Sequence, residues 1–220
     1  MLSSKNRSLL FGLTLLLVIT FGFDAKAADP ERSDGWKTGT TITMVAGAAT
    51  VALMPRVFFA DPDTTSGWKA RWHVSVLAPA LMNVSLTLLN EHALKDAIGA
   101  RRPGCDDTNQ GRGNCQDFGS LSSHAFLSFS ALGQGGVTFL TDTLKWSNGQ
   151  FHAGSFVGNL AVPLVFAGVT AVGRTAGNWE DGGTVVASSA AGLVTGMLTG
   201  LTYALLQRPE CGYTGSLICW

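Results

Sequence analysis

The sequence predicts an all-α bundle of five helices, six if the first apolar run is retained, that spans a membrane. Three observations lead there. Hydrophobic residues make up 46% of the 220 residues and charged residues only 14%, against about 25% in an ordinary soluble domain. Five long apolar stretches follow the N-terminal segment, and none shows the sustained period-two alternation of a strand. Gly192, Gly196 and Gly200 recur every fourth position, which lines one helix face with small residues and lets another helix come close. That face would also serve a dense soluble bundle, so a soluble periplasmic protein stands as the alternative.

Composition closes off other classes. Lys plus Arg is 15 and Asp plus Glu is 15, so there is no basic field to attract nucleic acid. An apolar chain without net charge does not have the composition of a disordered one. The 27 glycines follow no strict period, which excludes a collagen.

The N-terminus has the layout of an export signal. Lys5 and Arg7 precede the apolar run Leu9 to Phe23, and Ala25-Lys26-Ala27 fits the small-x-small cleavage pattern. Residues 1–27 are therefore a signal peptide or a first transmembrane helix, and 28–220 form one helical domain. The five later stretches run roughly from Thr38 to Met54, His73 to Leu94, Ser122 to Leu140, Ala153 to Val172 and Thr184 to Leu206. Several reach the about 20 residues that a bilayer requires.

The positive-inside rule gives these helices a topology. Arg56, Lys69, Arg71 and Lys145 fall on the inside. The connections from Lys95 to Gly119 and from Arg174 to Gly183 fall on the outside. This implies a bacterial-type inner membrane with those connections facing the periplasm. Cys105 and Cys115 share one loop, and Cys211 and Cys219 share the tail. In an exported chain this suggests the disulfides 105–115 and 211–219, although four cysteines allow three pairings. The topology puts the tail inside, where a 211–219 bond would be reduced. No His stands at finger-like spacing from any cysteine, so no metal is expected.

Three clusters lie at helix ends that face the same side. They are Lys95 to Pro103, Leu121-Ser122-Ser123-His124, and Gly173-Arg174 followed by Trp179-Glu180-Asp181 and Thr184. Lys and Arg can hold phosphoryl oxygens. The backbone N–H groups at a helix start near Ser122 and Ser123 add an anion site. His124 can act as a general acid.

In these clusters the chain resembles the type 2 phosphatidic acid phosphatase (PAP2) and vanadium haloperoxidase superfamily. The family pattern is K-x6-R-P, then P-S-G-H, then S-R-x5-H-x3-D. Lys95 to Arg102-Pro103 matches the first motif in full. The second is matched at Ser122 and His124, with Leu121 for Pro and Ser123 for Gly. The third is matched at Arg174 alone. The resemblance runs from about Thr38 to Leu206. It implies that Lys95, Arg102 and Arg174 bind a phosphoryl group, that Ser122 and Ser123 support it, and that His124 is the acid.

The departures bear on activity. Glu180 stands where the family has its nucleophilic His, and Thr184 where it has the Asp that orients that His. Vanadate chemistry is not expected either, because the metal-bonding His is the one replaced. A carboxylate nucleophile, Glu180 or Asp181, would form an acyl-phosphate instead. Two functions follow from the resemblance. One is a phosphatase on a lipid phosphate or another periplasmic phosphate ester, with a noncanonical nucleophile and no cofactor. The other is an inactive member that binds phosphate headgroups or serves as an envelope interaction module. The partner in either case is a phosphate-bearing lipid or small molecule.

Plainer readings stand beside these. Lys95, Arg101 and Arg102 also suit juxtamembrane charges, and Ser122 and Ser123 suit helix caps. His124 suits a buried, hydrogen-bonded helix residue. Glu91 and Lys95 are spaced to pair with each other. Trp36 and Trp179 suit interfacial anchors, Glu180-Asp181 suits a turn, and His92 is near enough to Lys95 to approach the pocket.

Overall fold

Ser33 starts the first helix: its hydroxyl accepts from the Trp36 backbone N–H at 3.4 Å, and Asp34 adds a negative charge to the first turn. This helix, α1 (Asp34–Leu53), ends just before Pro55, as a residue preceding proline disfavours helical backbone. The computed structural model describes residues 33–54, 56–61, 64–71, 74–99, 101–103, 105, 115, 121–146 and 149–206. The N-terminal segment read as a signal peptide or first transmembrane helix, His73, Cys211, Cys219 and every residue between Cys105 and Cys115 lie outside the described residues.

The described residues form five helices, the number the sequence predicts after the N-terminal segment. After α1, the second, α2, runs over 74–98 and comprises Val74–Leu89, a π-helical turn Asn90–Leu94 and Lys95–Ile98. The third, α3, is Ser123–Thr141, extended by a π turn at Asp142–Trp146. The last two are α4 (Ala153–Ala176) and α5 (Gly182–Leu206). The connection from α1 to α2, read from sequence as a loop, is an antiparallel hairpin of β1 (Arg56–Asp61) and β2 (Thr64–Arg71). Its residues pair Val57 with Ala70 and Phe59 with Trp68. No apolar run of helical length crosses this segment, and its aromatic and β-branched residues suit paired strands.

Two of the three π turns among the described residues have an evident local setting. In α4 the turn Val157–Ala161 lies just before Pro163. Proline has no N–H and crowds the carbonyl four residues back, which a widened turn accommodates. In α2 the turn resets the buried face. Val76, Pro79, Asn83, Thr87 and Asn90 are buried at steps of three and four, and then Lys95 is buried five residues on. A regular helix would have put Leu94 inward, and Leu94 is exposed.

Helices α3 and α5 form the tightest contact. A Cβ at Gly192 would lie 2.2 Å from the Phe126 carbonyl oxygen, and one at Gly196 would lie 1.9 Å from that of Ser130. From the other side, a Cβ at Gly133 would lie 2.3 Å from the Leu193 carbonyl oxygen. Glycine is required here because backbone meets backbone. Buried polar side chains tie the bundle together. Asn83 donates to Gln134 at 3.0 Å, Thr199 to Asn83 at 3.2 Å, and Gln134 to the Val76 carbonyl at 2.8 Å, joining α2, α3 and α5. Thr43, Thr170 and Ser128 join α1, α4 and α3 in the same way.

Among the described residues, two helices, Ala153–Ala176 and Gly182–Leu205, are long and apolar enough to cross a membrane. Their neighbours leave Val165, Val169, Val194 and Leu198 exposed. In α4, Gly168 differs from the contact glycines: a Cβ there meets nothing within 4 Å. Replacing Gly196 by Ala is therefore expected to lower the melting temperature, because overpacking costs about 1–3 kcal/mol. Gly168→Ala is expected to leave it equal or higher, since Gly is about 1 kcal/mol worse than Ala inside a helix. Thermal unfolding of the purified variants checks both, and a Gly196→Ala protein as stable as wild type would contradict the α3–α5 packing.

Candidate functional site

The helices alternate in direction, so one end of the bundle gathers the starts of α1, α3 and α5 and the finishes of α2 and α4. Backbone contacts fix this end. The Ser33 N–H donates to the Gly177 carbonyl at 3.2 Å, and the Ser122 N–H donates to the Ser188 hydroxyl at 2.8 Å. The three sequence clusters meet here. Lys95 and Arg174 stand in the last turns of α2 and α4, where helix dipoles favour cations.

On the α2 side, the Lys95 ammonium donates to Glu91 at 2.6 Å, and the Ser123 hydroxyl donates to the same carboxylate oxygen at 2.5 Å. Asn90 donates to the Ser123 hydroxyl at 2.8 Å and to the Leu121 carbonyl at 3.2 Å. Lys95 is 4% exposed. The expected i,i+4 pairing of Glu91 with Lys95 is thus present, within a network that includes Ser123. Burial works to raise the Glu91 carboxyl. Hydrogen bonds from Lys95 and Ser123, and the charges of Lys95 and Arg102, outweigh burial and hold the carboxyl below its ordinary value. Gly99, in the left-handed conformation at φ 63°, ends the helix, and its N–H donates to the Lys95 carbonyl. The chain then leads into Arg102, which is buried, and into the Cys105–Cys115 disulfide with Cα atoms 5.7 Å apart.

On the α4–α5 side, the turn 177–180 folds back on the end of α4. Asn178 takes φ 56°, a value its short polar side chain tolerates. The backbone N–H groups of Trp179 and Glu180 both donate to the Arg174 carbonyl, at 3.1 and 3.3 Å. This brings Glu180 back onto Arg174, whose guanidinium donates to the carboxylate at 2.8 Å. Both side chains are almost wholly buried, at 3% and 1% exposure. Burial works to raise the Glu180 carboxyl. The Arg174 charge and hydrogen bond, with smaller help from Ser122 and Lys95, overcome it and hold Glu180 ionised. One bond is made where a guanidinium–carboxylate pair can make two. Arg174 Nε and Glu180 Oε2 are both buried without a hydrogen-bond partner.

Asp181, the other carboxylate considered as a nucleophile, caps α5. It accepts from the Thr184 N–H at 2.8 Å and from the Thr184 hydroxyl at 2.5 Å. Ser122 caps α3 and accepts from the Ala125 N–H at 3.2 Å. The cap reading of Ser122 is therefore realised.

His124 stands at the second position of α3. Its Nε2 shares a hydrogen with the Thr41 hydroxyl at 3.0 Å, and its Nδ1 is buried without a partner. Burial, and then the nearby Arg174 charge, push its pKa down to about 4, against the opposing pull of Glu180 and Glu91. His124 is thus neutral at pH 7. His92 is exposed on α2. His152 accepts from the Ser155 N–H at 3.2 Å, capping the start of α4 at the far end.

The sequence placed Trp179 among interfacial anchors, and the structure corrects this. Its ring is 5% exposed, and its Nε1–H donates to the Ser33 carbonyl at 3.0 Å. Around its ring lie the Lys37 ammonium at 4.9 Å, the Arg174 guanidinium at 5.6 Å and the Arg102 guanidinium at 5.9 Å. Aromatic faces attract such cations, and more strongly where water is excluded. Trp36 is 40% exposed. Sequence reasoning also missed Asn90, Thr41 and Lys37. None carries a spacing signal, because each reaches the site through tertiary packing.

The arrangement collects Lys95, Arg102 and Arg174 against Glu91 and Glu180. With His124 neutral these five groups sum to one positive charge, and the Lys37 ammonium beside Trp179 adds a second. Among the described residues no three His, Cys, Asp or Glu side chains gather as a metal site would require.

The buried pair sets a stability expectation. Removing one partner leaves an uncompensated charge, so Arg174→Ala is expected to cost about 3–5 kcal/mol. Replacing Arg174 by Met together with Glu180 by Leu should cost much less. Denaturant unfolding of the three proteins measures the difference. The pH profile has a defined sign. His124 binds its proton less readily folded (about 4) than unfolded (6.5), so its contribution is present above pH 6.5 and fades as pH falls through 4. The lowered Glu180 adds a further loss below its ordinary value of 4.5. Thermal melts from pH 7.5 to 3.5 should fall over this window, and His124→Gln should flatten the part between 6.5 and 4.

No family model, curated protein or solved structure matches this chain.

Proposed function

We propose that this chain is a PAP2-like bundle of an inner membrane that binds a phosphate-bearing headgroup at its periplasmic end without hydrolysing it. One observation carries the reading. Where the family has its nucleophilic His, the chain has a carboxylate held 2.8 Å from the phosphate-binding arginine. An incoming phosphate meets that carboxylate as a like charge, which opposes attack by it. The acid is also poorly set for turnover. A group with a pKa of about 4 is neutral at pH 7 and gives up a proton to a leaving oxygen far less readily than an imidazolium does. Phosphate bound beside His124 would raise that value again.

The binding function keeps its supports. Lys95, Arg102, Arg174, Ser122 and Ser123 meet at one end, as the resemblance implies. Arg174 Nε and His124 Nδ1 are without partners there. The two apolar helices α4 and α5 support the membrane setting.

A second reading has its own observation. Glu180 is ionised and its Oε2 is unpartnered, as a carboxylate nucleophile would have to be. It would attack phosphorus to form an acyl-phosphate, and the ester oxygen would leave with a proton from His124.

Phosphate release separates the two. Purified wild type is expected to release none from an aryl phosphate, phosphatidic acid or an isoprenyl pyrophosphate. Inorganic phosphate is nevertheless expected to raise its melting temperature, with about 2.7 kcal/mol of stabilisation at 100-fold excess over Kd. The combined change Glu180→His and Thr184→Asp supplies the His and Asp of the third family motif and is expected to introduce release. Turnover by wild type that is lost in Glu180→Ala would overturn the binding reading in favour of the phosphatase.

A further inference from the structure

Arg174 is enclosed, with the Glu180 carboxylate 2.8 Å from its guanidinium and the Trp179 ring 5.6 Å away. The side chains of the ion pair are 3% and 1% exposed. An arriving anion therefore has no open path to this guanidinium. Of its two neighbours, Glu180 is the one that carries the same sign of charge as a phosphate. The two anions would share Arg174 poorly, because like charges side by side in a buried place oppose each other.

An exchange avoids this conflict. Removing the carboxylate alone would leave Arg174 as an uncompensated buried charge. A phosphate oxygen that arrives as the carboxylate leaves keeps the guanidinium paired. The carboxylate is held in a way that permits its departure. It takes one bond from Arg174 where such a pair can make two, and its Oε2 has no hydrogen-bond partner. The backbone beneath it is fixed separately. The Trp179 and Glu180 N–H groups donate to the Arg174 carbonyl, and the Trp179 Nε1–H donates to the Ser33 carbonyl. The turn can thus stay in place while the Glu180 side chain swings. The spot it occupies lies in the field of Lys95 and within reach of the Ser122 hydroxyl, groups that suit phosphate oxygens.

We propose that Glu180 is an internal stand-in for the ligand's phosphoryl group, which holds Arg174 until a phosphate-bearing headgroup exchanges with it. The proposal rests on the headgroup reading and adds the regulation of that site: it is autoinhibited by its own carboxylate. The apparent affinity for phosphate is lowered by the small fraction of protein in which the carboxylate has left.

The test measures binding of inorganic phosphate to the purified full chain by calorimetry, with melting temperature followed in parallel. Glu180→Gln removes the charge. Glu180→Asp keeps the charge but is one methylene shorter, which withdraws it from Arg174. Each variant is purified with phosphate present and then dialysed. Both are expected to bind phosphate about tenfold more tightly than wild type, the factor given by about 1.4 kcal/mol. Without phosphate both should melt below wild type, and saturating phosphate should close the gap by pairing with Arg174 in place of the carboxylate. Tighter binding by Glu180→Gln but not by Glu180→Asp would reduce Glu180 to a repelling charge and overturn the exchange. Loss of the fold in both variants even with phosphate present would overturn it too, since phosphate would then not replace the carboxylate. Equal affinity in all three proteins overturns the exchange and leaves the headgroup reading standing. No binding by any of them rejects the headgroup reading and the exchange with it.

Discussion

Everything at the polar end depends on the close contact of α3 with α5. Gly192 and Gly196 let the α5 backbone touch carbonyls of α3, and Gly133 does the same in return. That approach holds the first turns of the two helices side by side, where Ser122 bonds Ser188. Ser122, Ser123 and His124 are then fixed relative to the turn that precedes α5. A methyl group added in the seam would push the two backbones apart and shift these first turns relative to each other. The buried Asn83–Gln134–Thr199 network adds direction to this contact, since apolar faces alone would slide.

The site itself is a balance of desolvated charges. Burying Lys95, Arg102 and Arg174 at one end would be prohibitive without compensation. Glu91 and Glu180 provide it, with the Trp179 ring between the two arginines and Lys37. Glu180 thus has a structural reason to be acidic. Three cations buried at one end need internal anions, and a residue following a tight turn is well placed to supply one. The carboxylate that would repel a bound phosphate is the one that neutralises the buried Arg174.

Much of this could be read from the sequence, for identifiable reasons. The five helices were legible because their apolar runs are long and bounded by Ser, Pro and Gly. The meeting of Lys95, Arg102, Ser122, His124 and Arg174 at one end followed from helix direction alone. The Cys105–Cys115 pair followed from spacing within one loop. The hairpin at residues 56–71 was not legible, because short strands without strict alternation look like a polar connection. Trp179 was misplaced because burial of an aromatic at a helix end depends on its partners, here Ser33 and three cations distant in sequence. The pairing of Arg174 with Glu180 needs the left-handed turn at Asn178, which an asparagine permits but does not announce.

The π turn at Asn90–Leu94 reaches beyond the fold. Upstream of it the inward residues of α2 follow one phase, and downstream they follow another, displaced by about 100° for the one residue added. A chain lacking that residue would turn Lys95 toward the outside, yet its hydrophobic pattern would look almost the same. Pattern comparison at a constant period therefore aligns either the upstream half of α2 or its lysine, but not both. Kinship among such bundles is better sought in two frames, split at the insertion, than along one uninterrupted helix.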